Sequence, residues 1–350
     1  MDTHPVISAP SAFRFHDKDT EELTSVHVND CTTASFNKSA IPKSHFEEGI
    51  KQFFDFSKKD LTSWSRLLGF DILHDANSST IKLSVKTKVS GIASRYNMAD
   101  AHSVRTPMVE NALASFETHQ ADDDDDEQSQ FPYAQLIGEL LWIAMNARPD
   151  ITFAVVTLSR YLKDPKSCHW TAAKRVVRYL IGSQDLALTY SLSPGTMPMG
   201  YSDSDWARNP LDRKSISGLV FIHAGAAITW KVRRQQSVAT SSAEAEYLAL
   251  SLAARESLWL RHFFSEIGRP FPGPSTIYSD NQAAISMTKN PVYVSKTKHI
   301  DISAHHVRDE CSKGSIQVIY IAGSDNPADI MTKPLSPANH EKCVRSLGLN

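Results

Sequence analysis

The sequence is poor in the features that mark secreted, membrane-spanning or disulfide-rich proteins. Its four cysteines, Cys31, Cys168, Cys311 and Cys343, show no CxxC spacing, which disfavours a zinc site or a disulfide framework and fits a reducing compartment. The N-terminus lacks a charged start followed by an apolar stretch, and the longest apolar run is Leu140–Met145. We therefore expect no signal peptide and no membrane span, and a soluble protein inside the cell, in the cytoplasm or nucleus.

A strong excess of one charge is also absent. The 350 residues include 37 Lys+Arg and 39 Asp+Glu, a net charge of -2, and 41% are hydrophobic, which excludes collagen-like and disordered classes. The whole chain therefore carries no basic signal for nucleic acid. The charge is uneven, however: residues 200–350 hold 17 basic and 14 acidic residues, and the remainder holds 20 and 25.

Part of that acidic excess is a run of six acids, Asp122 to Glu127. Such a run repels itself and predicts a solvated linker rather than a metal or partner site. Apolar residues recur at helical spacing over residues 133–147, 151–162 and 171–181, which predicts a small helical bundle. The predicted segments are a disordered N-terminus (1–20), a first segment (21–115), the linker (116–130), the helical segment (131–192), an α/β domain (197–335) and a tail (336–350).

The α/β domain is predicted from the order of its elements. From Met199 the sequence predicts three strands, a long helix over Ser241–Ile267, a fourth strand, shorter helices, a fifth strand and a last helix over Pro327–Thr332. Ser241 and Glu244 form a capping-box pattern at the start of the long helix. This order predicts a mixed α/β sheet covered by helices.

Four carboxylates occupy unusual places in these elements. Asp203 lies in the first strand, Asp280 closes the fourth, Asp329 lies in the first turn of the last helix, and Glu246 lies on the apolar stripe of the long helix. Each alone could be a cap, a turn or a rim residue. Together they would repel one another unless cations lie between them, and two hard divalent ions about 4 Å apart are the known arrangement for phosphodiester chemistry.

The motifs around these acids carry a family resemblance. GYSDSDWA, SVATSSAEAEYLAL, IYSDNQAAI, KHIDISAHHVRD and NPADIMTKPL occur in that order over residues 199–335 and resemble the ribonuclease H domain of copia-type retrotransposon polyproteins. The resemblance implies a ribonuclease H-like fold and cleavage of RNA in RNA–DNA hybrids with two Mg²⁺ ions, for which Mn²⁺ substitutes. It assigns catalysis and metal binding to Asp203, Glu246, Asp280 and Asp329, and leaves Asp205 as a neighbour and Glu244 as a capping residue.

Substrate contacts are expected in two places. A basic stretch before the long helix would attract phosphates, although a solvated hairpin edge explains it equally well. The nucleic-acid-binding candidates are Lys231, Arg233, Arg234, Gln236, Ser241 and, by its match to a hybrid-contacting position in ribonucleases H, Gln282. His299, His305 and His306 suggest zinc by composition, but a surface helix is favoured. The loop AGSDNP before Asp329 has no histidine, unlike the matching loop of many ribonucleases H.

The first half resembles the reverse transcriptase of the same elements. FDFSKKDLTSWSRLLGFDI (residues 54–72), TPM (106–108), LIGELLWIAMNARPDI and HWTAAKRVVRYL resemble the palm after the active site and the thumb and connection helices. His27-Val28-Asn29-Asp30 stands where the family has YVDD, and Asn29 is a poor ligand for a hard cation. The sequence from Met1 leaves no room for the fingers and first palm strand. We expect a truncated palm, poorly packed over residues 1–115 with exposed edge strands, and no polymerase activity.

Two other hypotheses remain open beside the ribonuclease. One is a catalytically silent, nucleic-acid-binding remnant of a degenerate polyprotein, and the other is a structural subunit that pairs with a complete polyprotein through the thumb helices. The resemblance implies an RNA–DNA hybrid as the main partner, raises other Pol or Gag products as further partners, and gives no membrane role.

Overall fold

The N-terminal strands form an antiparallel sheet. The computed structural model describes residues 2–16, 20–27, 30–37, 64–75, 77–118, 131–191, 197–206, 213–289 and 306–350. Strands β1 (Asp2–Pro5), β2 (Ala12–His16), β3 (Thr20–His27) and β4 (Asp30–Asn37) pair in chain order. Over residues 2–16 this differs from the expectation of disorder in residues 1–20, because β2 pairs with β3 along its whole length. In the altered polymerase motif, His27 pairs with Asp30, while Val28 and Asn29 lie outside the described residues.

A second sheet and five α-helices are found among the described residues in the middle of the chain. The strands are β5 (Ser65–Leu67), β6 (Phe70–Asp75), β7 (Thr80–Ser84) and β8 (Leu188–Ser191). The helices are α1 (Lys86–Arg95), α2 (Ala112–Thr118), α3 (Tyr133–Asn146), α4 (Thr152–Ser159) and α5 (Ser167–Gly182). The three helices predicted from apolar spacing are α3, α4 and α5, and each is confirmed within a few residues.

The segments on the two sides of the acidic run share one hydrophobic core. Val85, Met108 and Phe116 are buried together with residues of α3, α4 and α5. Strand β7, which precedes the acidic run, pairs with β8, which follows α5 in the chain. The predicted linker over 116–130 therefore starts too early, because α2 continues to Thr118. Residues 1–115 were expected to pack poorly. Over residues 85–115 the structure differs, because apolar side chains there are part of this core. The run Asp122 to Glu127 lies outside the described residues.

The last part of the chain is a five-stranded mixed sheet. Strands β9 (Met199–Asp205), β10 (Ile216–His223) and β11 (Ala226–Arg234) form an antiparallel meander. Strands β12 (Ser275–Ser279) and β13 (Ile316–Tyr320) run parallel to β9, giving the order β11-β10-β9-β12-β13. The helices are α6 (Ser242–Glu266), α7 (Gln282–Lys289) and α8 (306–312). The predicted mixed α/β sheet flanked by helices is confirmed.

Both faces of this sheet are covered because side chains alternate along β10. Leu219 and Phe221 pack under α6, whereas Val220 and Ile222 pack with residues from the C-terminal end of the chain. A 3₁₀-helix over Pro327–Met331 stands where the sequence predicted an α-helix. It brings its apolar residues against β10.

The C-terminal residues are a structured element rather than the predicted tail. Helix α9 (Pro337–Ser346) begins with proline in its first turn, a favourable position. His340, Cys343, Val344 and Leu347 are buried at helical spacing, and Leu349 forms a bridge with Leu188 of β8. The predicted domain end at residue 335 is therefore too early. Among the described residues, no helix is both long and apolar enough to cross a membrane.

Candidate active site

Three aspartates meet at one end of the five-stranded sheet. Asp203 is buried in β9, and Asp280 directly follows β12. Because β12 runs parallel to β9, with Tyr278 beside Tyr201, the chain leaves β12 next to the acid-bearing half of β9. Asp329 joins them from the 3₁₀-helix, and the three aspartates each offer a carboxylate oxygen within 4.8 Å of the others.

The position of Asp329 is set by the residue that begins its helix. Asn326 donates its side-chain amide to the Ser202 carbonyl at 2.9 Å, beside Asp203, and its side-chain oxygen accepts the Ala328 N–H at 3.1 Å. The second bond is an N-cap. Asn326 thus both starts the helix and ties it to β9. Asn326 was not among the predicted site residues, although Asn before Pro is a recognisable helix-start signal.

Glu246 reaches the same place from the first turns of α6. One of its carboxylate oxygens, Oε1, accepts the Ser204 N–H at 3.2 Å. The other, Oε2, is buried and has no hydrogen-bond partner among the described residues. We call Asp203, Glu246, Asp280 and Asp329 the acid cluster. Gln235 supports it by donating to the Ser217 hydroxyl and the Ala245 carbonyl, both at 2.9 Å.

Burial and mutual repulsion disfavour the ionised form of the carboxylates in the acid cluster. Burial and the charges of Asp203 and Asp280 raise the pKa of Glu246 to about 9. Burial and the charge of Asp203 raise the pKa of Asp329 to about 7, and they also raise the pKa of Asp280. Each raised pKa means that the ionised carboxylate is destabilised in the absence of a cation. Clustered carboxylate oxygens, one of them buried without a partner, are the donor set that a hard divalent cation prefers, so these residues fit a metal site.

Two neighbours of Asp329 that the sequence analysis did not weigh also reach the acid cluster. The Lys333 ammonium lies 2.9 Å from Asp329 Oδ1 and 3.8 Å from Asp203 Oδ2. The Thr332 hydroxyl donates to Asp203 Oδ2. In the sequence, the spacing of four residues between Asp329 and Lys333 could have predicted their ion pair.

Asp205 and Glu244 are the two nearby acids that were expected to take no part in metal binding. Asp205 ends β9 and is outside the group of three converging oxygens. At the start of α6, the Ser241 hydroxyl accepts the Glu244 N–H at 3.2 Å, as predicted. The Glu244 carboxylate, however, accepts from the Thr240 N–H at 2.8 Å, so the reciprocal half of the predicted capping box is shifted by one residue.

The chain has relatives among transposon proteins and among solved structures. No protein-family model matches the chain. A ribonuclease H1 isolated from compost, LC11-RNase H1, aligns with 39% of this chain and 91% of its own at 17% identity and a TM-score of 0.30. The chain is 32% identical over 326 residues, 93% of its length, to the Pol polyprotein from transposon TNT 1-94 of Nicotiana tabacum. It is 30% identical to a Ty5-1 transposon protein of Saccharomyces cerevisiae, over 66% of this chain and 72% of that protein. The chain belongs to the copia-type retrotransposon Pol family.

This copia-type Pol chain spans only part of the length of several polyproteins that it matches. It covers 24% of the length of the tobacco polyprotein, and 18% and 20% of the RE2 and RE1 polyproteins of Arabidopsis thaliana.

The predicted substrate contacts of the Pol chain fall into two groups. Lys231 forms an ion pair with Glu256, to which the Thr229 hydroxyl also donates at 2.6 Å. Glu256 lies ten residues beyond Glu246 on α6, about 15 Å along the helix axis, so Lys231 is held away from the acid cluster. The other candidates, which are exposed as Lys231 is, are Arg233, Arg234, Gln236, Ser241 and Gln282.

The exposed candidates lie at the same end of the sheet as the acids. Asp205 of β9 and Arg234 of β11 both pair with Ile216 of β10, so they lie in one row across the sheet. Gln282 begins α7, two residues beyond Asp280. Of the histidines considered for zinc, His299 and His305 lie outside the described residues. Within the described part of the chain, no group of potential metal ligands includes His306.

Proposed function

We propose that this Pol chain hydrolyses the RNA strand of RNA–DNA hybrids, with two divalent cations held by Asp203, Glu246, Asp280 and Asp329. One observation carries the proposal: three carboxylate oxygens converge within 4.8 Å beside a buried glutamate oxygen that has no partner among the described residues. Membership of the copia-type Pol family supports a nucleic-acid substrate for that site.

The protein's own residues would bind the cations and keep them in place. The four carboxylates supply oxygen ligands from β9, α6, the end of β12 and the 3₁₀-helix, and these are packed elements rather than free loops. Magnesium, or manganese in its place, would supply an activated water and neutralise charge at the leaving oxygen. The expected products carry 5′-phosphate and 3′-hydroxyl ends.

The hybrid would lie across the exposed side chains around the acid cluster. Arg233, Arg234, Gln236 and Ser241 offer charge-assisted and neutral hydrogen bonds to phosphates, and the exposed Gln282 would add a contact two residues beyond Asp280. Lys231 is left out because it is paired with Glu256. Binding through backbone phosphates predicts an affinity that falls as salt rises.

The test is digestion of a labelled hybrid with magnesium by the wild-type chain and by two matched variants. Asp203→Asn removes a central ligand and should abolish cutting. Asp205→Asn removes an acid from the end of the same strand, outside the cluster, and should keep it. Equal cutting by wild type and Asp203→Asn would sink the proposal. Salt-dependent binding of hybrid without cutting would favour the alternative of a catalytically silent nucleic-acid-binding remnant.

We also propose that the chain does not synthesise DNA. The support is Asn29, which stands where the family motif has a carboxylate and is a weaker ligand for a hard cation; its position lies outside the described residues. A primer-extension assay should show no magnesium-dependent synthesis, and clear extension would contradict this.

A further inference from the structure

Lys333 lies against two members of the acid cluster, Asp329 and Asp203. Its ammonium is in ion-pair distance of Asp329 and Asp203, and its positive charge also lowers the pKa of Glu246 and of Asp280 against the larger effect of burial. Burial of the Lys333 side chain lowers its pKa, but the carboxylates of Asp203 and Asp329 have the larger effect, so its pKa is raised. One ammonium group thus forms ion pairs with two of the four acids.

The ammonium and a divalent cation would need the same oxygen atoms. Asp329 Oδ1 lies 2.9 Å from Lys333 Nζ, and a cation bound to that oxygen at about 2.1 Å would face a second positive charge at close range. The Lys333 side chain is 30% exposed and has four rotatable bonds, so it has both the space and the freedom to swing outward. Lysine suits this exchange because its charge sits on a long flexible stem.

We propose that Lys333 is a built-in counter-cation, which holds the acid cluster together before divalent cations bind and competes with them for Asp203 and Asp329. The proposal rests on the proposed function only in taking the acid cluster as the cation site. It makes two linked claims: the charge of Lys333 stabilises the cation-free protein, and the same charge weakens cation binding.

The experiment measures both effects on the full chain without nucleic acid. Thermal unfolding in EDTA and titration with Mn²⁺, followed by the electron paramagnetic resonance of the free ion, are compared for wild type and Lys333→Met. We expect the variant to unfold at a lower temperature in EDTA. We also expect it to bind Mn²⁺ roughly tenfold more tightly, a coupling typical of two ligands on one protein.

Three further variants separate charge from packing. Lys333→Arg keeps the charge and should stay close to wild type in both measurements. Lys342→Met removes a lysine that pairs with Asp325 at 2.7 Å and the Ser324 carbonyl at 2.6 Å, away from the cluster, and should change neither. Lys333→Gln serves as the neutral variant if Lys333→Met does not fold.

Several results would overturn the proposal: unchanged or weaker Mn²⁺ binding in the neutral variant, a lower unfolding temperature without tighter binding, or no Mn²⁺ binding by either protein. A wild-type chain that shows the predicted exchange but leaves hybrids uncut would instead refute the proposed function alone, because cleavage takes no part in these measurements.

Discussion

Glu246 shows how far local sequence can determine a functional residue. Its spacing along α6 predicts that it faces the sheet, and the structure buries it there, with one oxygen bonded to the Ser204 N–H. A buried carboxylate with an unpaired oxygen costs free energy unless it is protonated or bound to a cation. The raised pKa of Glu246 is the physical expression of that cost.

The raised pKa predicts how the cation-free protein responds to pH. A carboxyl group whose pKa is raised by folding binds its proton more tightly in the native state, so it stabilises the fold at low pH and loses that effect as pH rises. Without cations, the wild-type chain should therefore lose stability between about pH 4.5 and about pH 9, the Asp329 contribution fading by about pH 7. Urea unfolding in EDTA across this range measures it.

Two variants connect that pH dependence to one residue. Glu246→Gln should flatten the decline, leaving the protein more stable than wild type at pH 9 by roughly 2 kcal/mol or more. Glu244→Gln, two positions away on the same helix and outside the acid cluster, should keep the wild-type slope. An unchanged slope in Glu246→Gln would show that this side chain does not titrate as described.

The residues that the sequence did not reveal depend on long-range packing. Asp203, Glu246, Asp280 and Asp329 could be chosen from motifs because each stands at a recognisable place in its element. Lys333 and Thr332 follow the 3₁₀-helix, and their direction depends on how Asn326 fixes that helix to β9, which spacing does not encode. Lys231 was expected near nucleic acid, but its partner Glu256 lies on a different element.

At the scale of elements, periodic segments were predictable and short irregular ones were not. Helices α3, α5 and α6 follow from apolar spacing and, in α6, from the Ser241 cap. The Pro327–Met331 element is 3₁₀ rather than α, since five residues are too few for propensity to decide the helix type. Helix α9 was missed because its buried stripe includes His340 and Cys343, which a search for strongly apolar residues overlooks.

The contact between β10 and the 3₁₀-helix gives a prediction at this scale. A Cβ atom at Gly218 would lie 2.6 Å from the Met331 Cβ and 2.7 Å from the Thr332 Cγ2. Gly218→Ala should therefore push away the segment that carries Asp329, lowering stability by about 1–3 kcal/mol and weakening Mn²⁺ binding. Gly273→Ala, where an added Cβ meets nothing within 4 Å, is the control. Full Mn²⁺ affinity in Gly218→Ala would contradict the tight packing described here.

At the scale of the whole molecule, the helices of the middle segment and the five-stranded sheet pack as neighbours. The Trp230 indole N–H of β11 donates to the Ala144 carbonyl of α3 at 2.8 Å. Arg148 and Asp150 form a buried bidentate pair, and the Tyr179 hydroxyl donates to Asp150 at 2.6 Å. The His340 ring of α9 lies 3.4 Å from the Asp150 carbonyl. These contacts join residues up to 190 positions apart. Local sequence patterns do not show such contacts, so they predicted segments that pack separately.

The buried pair predicts how strongly this region depends on charge. Arg148 and Asp150 are 1% and 0% exposed, so Asp150→Asn would leave an uncompensated buried guanidinium and should cost about 3–5 kcal/mol of unfolding free energy. Asp185→Asn, which breaks the exposed Lys86–Asp185 pair, should cost less than about 1 kcal/mol. Chemical denaturation of both variants measures the difference. Similar small losses would mean that the Arg148–Asp150 pair contributes little to joining these elements.

The central claim is that the acid cluster cuts RNA in a hybrid, and magnesium-dependent cleavage of a hybrid labelled on both strands tests it most directly. The wild-type chain should cut the RNA strand only when magnesium is present, leave the DNA strand intact, and lose this activity with Asp203→Asn. Cutting that survives in EDTA or in Asp203→Asn, or the absence of any cutting by the wild-type chain at saturating magnesium, would contradict the account.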